Sequence, residues 1–321
     1  MGLFHGKAKK LYKEALPFYE QGHYMEALEK MEAAAELGYK EAMYLCGNIK
    51  RNRADYDQAA DWYAKAAACR HTKAKEALTE LCIYSSVCRK YNLWEELRAR
   101  AEKGDVKAQV ALAKDLYEDA RKKGAEACDM PLHWALQAAR KGSQEGRCLC
   151  GDIYFKGKND LDSAAKWYSL AGEQGDSWGC YGCGKVMKEK KDDEAAAEWF
   201  LKAWKLGNSL APMECIHAYA RIGTDEACEK VFALVEEYLE VLKKRGQWTT
   251  YDSFKMEKEL LNLCGDLCYQ QGKKYEAYQW YRRNSYKDEY AVTRQAEMHY
   301  EGDGIQKDRA EAYRLYAQLV K

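Results

Sequence analysis

Cysteine is the residue type whose spacing in this sequence most directly suggests chemistry. Cys148 and Cys150 form a Cys-X-Cys motif, and Cys180 and Cys183 form a Cys-X-X-Cys motif further along the chain. Four thiolates are ligands that a structural zinc ion prefers. A metal site, redox regulation and packing as small apolar residues are therefore the three interpretations to be weighed.

Helix geometry argues against the metal site. Residues two apart on a helix point to different faces, so Cys148 and Cys150 could not both bind one ion without breaking that helix. The six histidines are scattered along the chain with no His-X-X-X-His or His-X-X-Glu pair. The sequence also has no phosphate-binding glycine loop, no nucleophile elbow and no dinucleotide motif. We therefore expect no catalytic residue, no metal and no cofactor.

Charge and composition exclude further classes of function. The 52 basic and 51 acidic residues nearly cancel, which disfavours a nucleic-acid-binding or membrane-surface role. Apolar residues never run long enough for a membrane-spanning helix, and the first residues lack the apolar region of a secretory signal. We therefore expect a cytoplasmic protein that binds neither nucleic acid nor membrane, with its 13 cysteines kept as thiols.

The elements that must position these residues recur along the chain. A pattern of small, glycine and aromatic residues repeats every 30 to 40 residues, which indicates a solenoid rather than one globular core. In the last copy a first helix ends at Tyr300, Gly302 and Gly304 turn the chain, and a second helix follows from Asp308. Each copy is thus expected to form two antiparallel helices.

Second helices share an alanine-rich stretch followed by an aromatic pair. Small residues allow two helices to approach closely, and we expect the large aromatic residue, a tryptophan in most copies, to fill the space between neighbouring pairs. The clearest pairs are Trp62-Tyr63, Trp167-Tyr168, Trp199-Phe200 and Trp280-Tyr281.

These copies resemble Sel-1-like repeats, a branch of the tetratricopeptide repeat superfamily, through their ALxxLGxxYxxGxGV…DxxKAxxWYxKAAxxG character. The resemblance implies an all-α, right-handed superhelix of about nine antiparallel helix pairs, forming one continuous solenoid over residues 1–321. Residues 124–130 and 246–252 are the longest expected loops, and the second could kink the array. The pair from Ala211 lacks the aromatic pair, and the pair from Glu76 has Cys82 where glycine is usual.

Alignment of the copies favours packing as the role of the cysteines. Five of them occupy the position before the motif glycine or its equivalent, where a free thiol behaves as a small apolar residue: Cys46, Cys150, Cys183, Cys215 and Cys264. No regular pattern of one cysteine per helix would support disulfides between paired helices.

First-helix residues are the candidates for partner binding. In the tetratricopeptide arrangement such positions face the concave groove, where aromatic rings give rigid contact area and polar neighbours fix orientation. Some of these rings could instead pack only against the next repeat. The candidates are Tyr19, Tyr44, Arg51, Tyr117, Phe155, Trp178, Tyr181, Lys185, His217, Arg221, Tyr269 and Tyr300.

Three roles fit this reading, and none of them is enzymatic. The first is a scaffold or adaptor that binds a peptide or partner domain on its concave face. The second is a homo-oligomer formed through the final repeat, where no polar capping helix covers Leu315, Tyr316 and Leu319. The third is a regulatory subunit, or a bacterial effector, that engages a partner enzyme.

Overall fold

The computed structural model describes residues 2–244, 251–284 and 288–319. Within these ranges the chain is helical and contains no β-strand, and its helices follow one another as nine sequential pairs. This confirms the all-α fold of helix-pair repeats. The chain folds as two compact units, Met1–Asp160 and Leu161–Lys321. A single continuous array therefore stays a prediction, and residues 246–250 of the expected kink lie outside the described residues.

Unit 1 contains ten α-helices, and each packs mainly on its neighbours in sequence. They are α1 (Gly2–Glu20), α2 (Tyr24–Glu36), α3 (Lys40–Asn52), α4 (Tyr56–Ala68), α5 (Thr72–Glu80), α6 (Ser85–Tyr91), α7 (Trp94–Glu102), α8 (Val106–Ala120), α9 (Asp129–Arg140) and α10 (Gln144–Asp152). Residues 153–157 continue α10 as a π-helical turn.

The described residues of unit 2 form nine α-helices with the same neighbour-to-neighbour packing. They are α11 (Leu161–Gly172), α12 (Ser177–Glu189), α13 (Asp193–Lys205), α14 (Ala211–Ile222), α15 (Asp225–Lys244), α16 (Tyr251–Gln270), α17 (Lys274–Arg283), α18 (Glu289–Glu301) and α19 (Arg309–Leu319).

One local expectation from the sequence was wrong. The third pair has a broken first helix, because the 3₁₀ segment Leu81–Ile83 and the extended residue Tyr84 separate α5 from α6. The start of α6 is attached to α8 instead, since Ser85 and Arg89 both donate hydrogen bonds to Asp115. The long loop expected at residues 124–130 is present at residues 121–128, between α8 and α9, and its last part is a 3₁₀ turn, Ala125–Cys128, that leads directly into α9.

A close approach between helices explains the motif glycine. A Cβ atom at Gly47, Gly184 or Gly265 would lie within 2.4–2.5 Å of an aromatic ring on the second helix of the same pair. The ring belongs in each case to the residue sixteen positions later in the sequence, Tyr63, Phe200 or Tyr281. Only glycine leaves room for the ring, so the two residue types are required together.

The second aromatic residue of each pair, and not the tryptophan, fills this space. Tyr63, Phe200 and Tyr281 have no exposed surface, whereas the tryptophans that precede them are only half-buried. The reason is helical geometry, because consecutive residues point about 100° apart and only one of the two can face the glycine. The tryptophans instead pack between neighbouring pairs, as the sequence predicted: Trp199 lies 3.1 Å from where a Cβ of Gly172 on α11 would be, and Trp280 stacks on Phe232 of α15.

The five motif cysteines lie in the core. All five have no exposed surface, and all stand on first helices. Burial raises the pKa of the Cys46, Cys150, Cys183 and Cys215 thiols to about 12, so they remain protonated at neutral pH. Complete burial on first helices is the arrangement that the packing interpretation predicts for these cysteines.

Candidate functional site

The predicted site residues all lie on the first helices of their pairs or on the π-helical turn after α10, as the repeat pattern required. Unit 1 holds Tyr19, Tyr44, Arg51, Tyr117 and Phe155. Unit 2 holds Trp178, Tyr181, Lys185, His217, Arg221, Tyr269 and Tyr300.

The residues of unit 1 are occupied by contacts within the unit. Tyr44 stacks on His71 with the ring centroids 4.7 Å apart, and the Arg51 guanidinium lies 3.2 Å from the Glu80 carboxylate. Tyr19 accepts a hydrogen bond of 3.4 Å from Asn48. These contacts hold consecutive first helices together and leave part of each side chain exposed.

Tyr117 is buried, with 8% of its surface exposed, and its hydroxyl donates to the carbonyl oxygen of Asp152 at 3.0 Å. Burial raises its pKa to about 12. Its ring also lies 3.1 Å from where a Cβ of Gly157 would be, so it packs against the π-helical turn. Tyr117 therefore serves packing in this structure, while Phe155 on the same turn is half-buried.

In unit 2, three predicted residues form one strip along α12, which we call the α12 strip: Trp178, Tyr181 and Lys185. Trp178 is 59% exposed and lies edge-on to Tyr181, with centroids 6.1 Å apart. Tyr181 is half-buried against Phe200 at 5.6 Å, and burial and the nearby Glu214 raise its pKa. The Lys185 ammonium lies 5.8 Å from the Tyr181 ring. An exposed indole is thus supported by a ring that reaches the core.

His217 and Arg221 on α14 make contacts with other helices rather than with the α12 strip. His217 Nε2 lies 3.2 Å from a carboxylate oxygen of Glu259 on α16. Arg221 forms an ion pair of 2.6 Å with Asp193 at the start of α13. Both side chains therefore link consecutive repeats.

Tyr269 and Tyr300 come from consecutive first helices, α16 and α18, and line one cavity of about 310 Å³. We call it the tyrosine cavity. Its other lining residues were not predicted: Arg294, Glu297, Met298, Glu301, Asp303 and Tyr316. The sequence did contain one usable signal, because Glu297 and Glu301 stand one helical turn apart on either side of Tyr300.

A hydrogen-bond network holds one wall of the tyrosine cavity. Asp303 accepts hydrogen bonds from Lys274 Nζ at 2.5 Å and from the Tyr269 hydroxyl at 2.6 Å. These bonds lower the pKa of Asp303, and the bond to Asp303 raises the pKa of Tyr269. Because Asp303 lies in the turn after α18, the network fixes that turn against α16 and α17.

Arg294 on α18 lies beside the network, over the Tyr269 ring. Its guanidinium is 4.5 Å from the Tyr269 ring and donates to Glu297 at 2.7 Å, while its buried Nε has no hydrogen-bond partner. Glu301 is exposed and forms no ion pair among the described residues. The cavity therefore presents three carboxylates, of which Glu301 is free to pair with a ligand.

Other kinds of site find no support in the described ranges. No three His, Cys, Asp or Glu side chains group together as a metal site would need. Among the helices of those ranges, none combines the length and apolar character needed to span a membrane.

The comparisons with known proteins agree with the repeat pattern. The Sel1 repeat family model matches residues 32–71, 145–176, 179–208 and 290–319. No curated protein matches the sequence significantly. The four matched segments include the pairs α3/α4, α12/α13 and α18/α19 almost entirely.

Three solved structures illustrate how distant the relatives are. A protective antigen of uropathogenic Escherichia coli with a Sel1-like repeat fold is 20% identical, with 98% of this chain and 76% of that chain covered and a TM-score of 0.36. A Sel1 repeat protein from Oxalobacter formigenes is 16% identical, with 98% and 83% covered and a TM-score of 0.40. A tetratricopeptide repeat protein from Parabacteroides merdae is 12% identical, with 98% and 100% covered and a TM-score of 0.33.

At these identities and TM-scores, no residue role and no partner can be transferred from those structures. The likeness to the Sel1 repeat family rests on the family-model matches and on the repeated pairing of a motif glycine with a buried aromatic ring. The chain therefore carries Sel1 repeats in the four matched segments.

Proposed function

We propose that this chain is a protein-interaction scaffold whose first helices bind a peptide or a partner domain. The observation that carries the proposal is the tyrosine cavity, in which Tyr269 and Tyr300 from consecutive first helices converge. A concave site with aromatic walls and a few fixed polar groups is the usual form of a recognition pocket. Binding, and not catalysis, is the role that such a site supports.

The charges of the tyrosine cavity favour a basic side chain of the partner. Glu297 and Asp303 already have cationic partners, Arg294 and Lys274, whereas Glu301 has none among the described residues. A lysine or arginine entering beside Tyr300 would pair with Glu301 and lie against an aromatic surface. We therefore propose a segment with at least one basic residue as the ligand.

The α12 strip would supply a second contact in the same unit. An exposed tryptophan supported by a half-buried tyrosine is the type of residue that dominates binding energy in protein interfaces. Trp178 lies edge-on to Tyr181, and Tyr181 in turn packs against Phe200.

The experiment uses a displayed library of random peptides, selected on the full chain and then compared on two charge variants. We expect the selected peptides to be basic and to lose about tenfold in affinity on Glu301→Lys. The matched control is Glu289→Lys, an exposed residue at the other end of the same helix. Equal binding to both variants, or selected peptides without basic residues, would contradict the proposal.

Self-association through the final pair stays a prediction. Leu315 is only 7% exposed and packs with Val292 and Ala296, so this side chain is not available for a second copy. Tyr316 and Leu319 are half-buried. A role as regulatory subunit or bacterial effector differs from a scaffold only in the identity of the partner.

A reducing compartment such as the cytoplasm is the location that we propose for the protein. None of the thirteen cysteines, all within the described ranges, forms a disulfide, and the five beside the motif glycine or its equivalent are buried. Such thiols persist where glutathione and thioredoxin keep cysteines reduced.

A further inference from the structure

A second concave surface of unit 2 lies on the second helices and was not anticipated. It is a groove of about 500 Å³ between α13 and α15, which we call the lysine groove. Leu201 on α13 and Leu234 on α15 line it, together with Tyr219 from α14. Tyr219 is buried, and both leucines are half-buried, so the groove has an apolar floor.

Equivalent positions of two repeats build the walls of the lysine groove. Leu201 and Lys202 stand nine and ten residues after the N-cap residue Asp192. Ala233 and Leu234 stand at the same two positions after Thr224, whose hydroxyl caps α15. The small side chain of Ala233 leaves space at this wall that a larger residue would fill.

The rim of the lysine groove is basic. Lys202, Lys205 and Lys230 line it, against the single carboxylate of Glu198. Lys202 lies over the Trp199 ring at 4.9 Å, and neither Lys202 nor Lys205 forms an ion pair among the residues that the structure describes. Lys230 pairs with Glu226 at 2.9 Å on its own helix. Two ammonium groups are thus available beside an apolar floor.

We propose that the lysine groove binds an acidic peptide segment of a partner protein that carries a bulky apolar side chain. The apolar side chain would lie on Leu201, Tyr219 and Leu234, and carboxylates of the segment would pair with Lys202 and Lys205. Charge complementarity is the reason for proposing this ligand. The apolar floor fits an apolar side chain, and the two available ammonium groups beside it fit acidic side chains of the same segment. A nucleic acid is a poorer match for the groove. Its affinity would depend on counterions released from the phosphate backbone, and the few lysines of the groove would release only a few.

This site is independent of the tyrosine cavity, because it lies on other helices and has the opposite charge. One protein could therefore hold a basic segment and an acidic segment at separate places. Each proposal can fail without the other, since the two predicted ligands differ in charge.

The test selects displayed random peptides on the full chain at low ionic strength and measures the affinity of the enriched acidic, apolar sequences. We expect the double variant Lys202→Glu/Lys205→Glu to weaken these peptides at least about tenfold. The single variant Ala233→Glu should weaken them as well, because it places a carboxylate and added bulk in the groove. Circular dichroism checks that the variants, all at exposed positions, remain folded.

The matched control is Lys9→Glu/Lys10→Glu, which makes the same charge change at exposed residues of α1. This control should leave the affinity unchanged. Failure to enrich acidic, apolar peptides would overturn the proposal. Equal affinity for the wild type and the Lys202→Glu/Lys205→Glu variant would overturn it too, whereas loss of basic peptides on Glu301→Lys would concern only the tyrosine cavity.

Discussion

The pairs α12/α13 and α14/α15 follow each other in unit 2 and contribute to one hydrophobic core cluster, but they fill it differently. In the first pair, Gly184 makes room for the ring of Phe200, which is fully buried. In the second pair, the position of the glycine is taken by Ile216, which is itself fully buried. The aromatic residue sixteen positions later, Phe232, is only half-buried and stacks on Trp280 at 5.9 Å.

This difference shows that the glycine decides where the ring goes. When isoleucine fills the space between the two helices, the aromatic side chain moves to the junction with α17. The irregular pair also supplies α15, one wall of the lysine groove, and it lies outside the segments that match the Sel1 model. A regular repeat thus buries its aromatic residue between its own two helices, whereas the irregular repeat holds it at the junction with α17.

The largest expected effect comes from removing the buried ring. Phe200→Ala should lower the free energy of unfolding by about 3 to 5 kcal/mol, because it leaves a cavity that its neighbours cannot fill. Phe232→Ala should cost clearly less, since its ring is half-exposed. Urea denaturation followed by tryptophan fluorescence measures the free energy of unfolding of both variants. Equal losses would show that the two pairs do not differ in how they use the aromatic ring.

An intermediate loss of stability is expected when the isoleucine of α14/α15 replaces the motif glycine of α12/α13. Gly184→Ile should destabilise the protein by about 1 to 3 kcal/mol, because a Cβ there would lie 2.5 Å from the Phe200 ring. In the double variant Gly184→Ile/Phe200→Ala the clash is absent. Its measured loss should therefore be smaller than the sum of the two single losses, and strict additivity would contradict this account.

The smallest expected change in stability per residue concerns the buried cysteines. Both pairs have one at the same repeat position, Cys183 in α12/α13 and Cys215 in α14/α15. The pKa of Cys183 and of Cys215 is raised to about 12, above the value near 9 in the unfolded chain. Each thiol therefore stabilises the folded state fully below pH 9, and this stability is lost as the pH rises towards 12. We expect a loss of roughly 1 to 2 kcal/mol per thiol between pH 9 and 11.

Urea denaturation of Cys183→Ala and Cys215→Ala across this pH range measures the thiol contribution. Each variant should show a shallower fall in stability above pH 9 than the wild type does. Cys69, which is exposed, provides the control, and Cys69→Ala should leave the pH dependence unchanged. An equal slope in all four proteins would show that the buried thiols do not govern alkaline stability.

Local patterns in the sequence determined the helix-pair repeat, the positions of the pairs and the packing role of the cysteines. They could do so because the periodicity of a helix and the need for small residues at a close approach act over a few turns. The same patterns placed every candidate residue on a first helix, yet they did not distinguish Tyr117, which is buried, from Trp178, which is exposed.

Only the tertiary structure decided which residues meet. The tyrosine cavity combines Tyr269 with Tyr300 and Asp303, and the lysine groove combines Leu201 with Leu234, in each case across more than one repeat. It also decided that the rings that follow Trp62, Trp199 and Trp280, and not these tryptophans, face the motif glycine. The physical reason is that burial and charge at these places depend on how neighbouring helices pack, which no single repeat encodes.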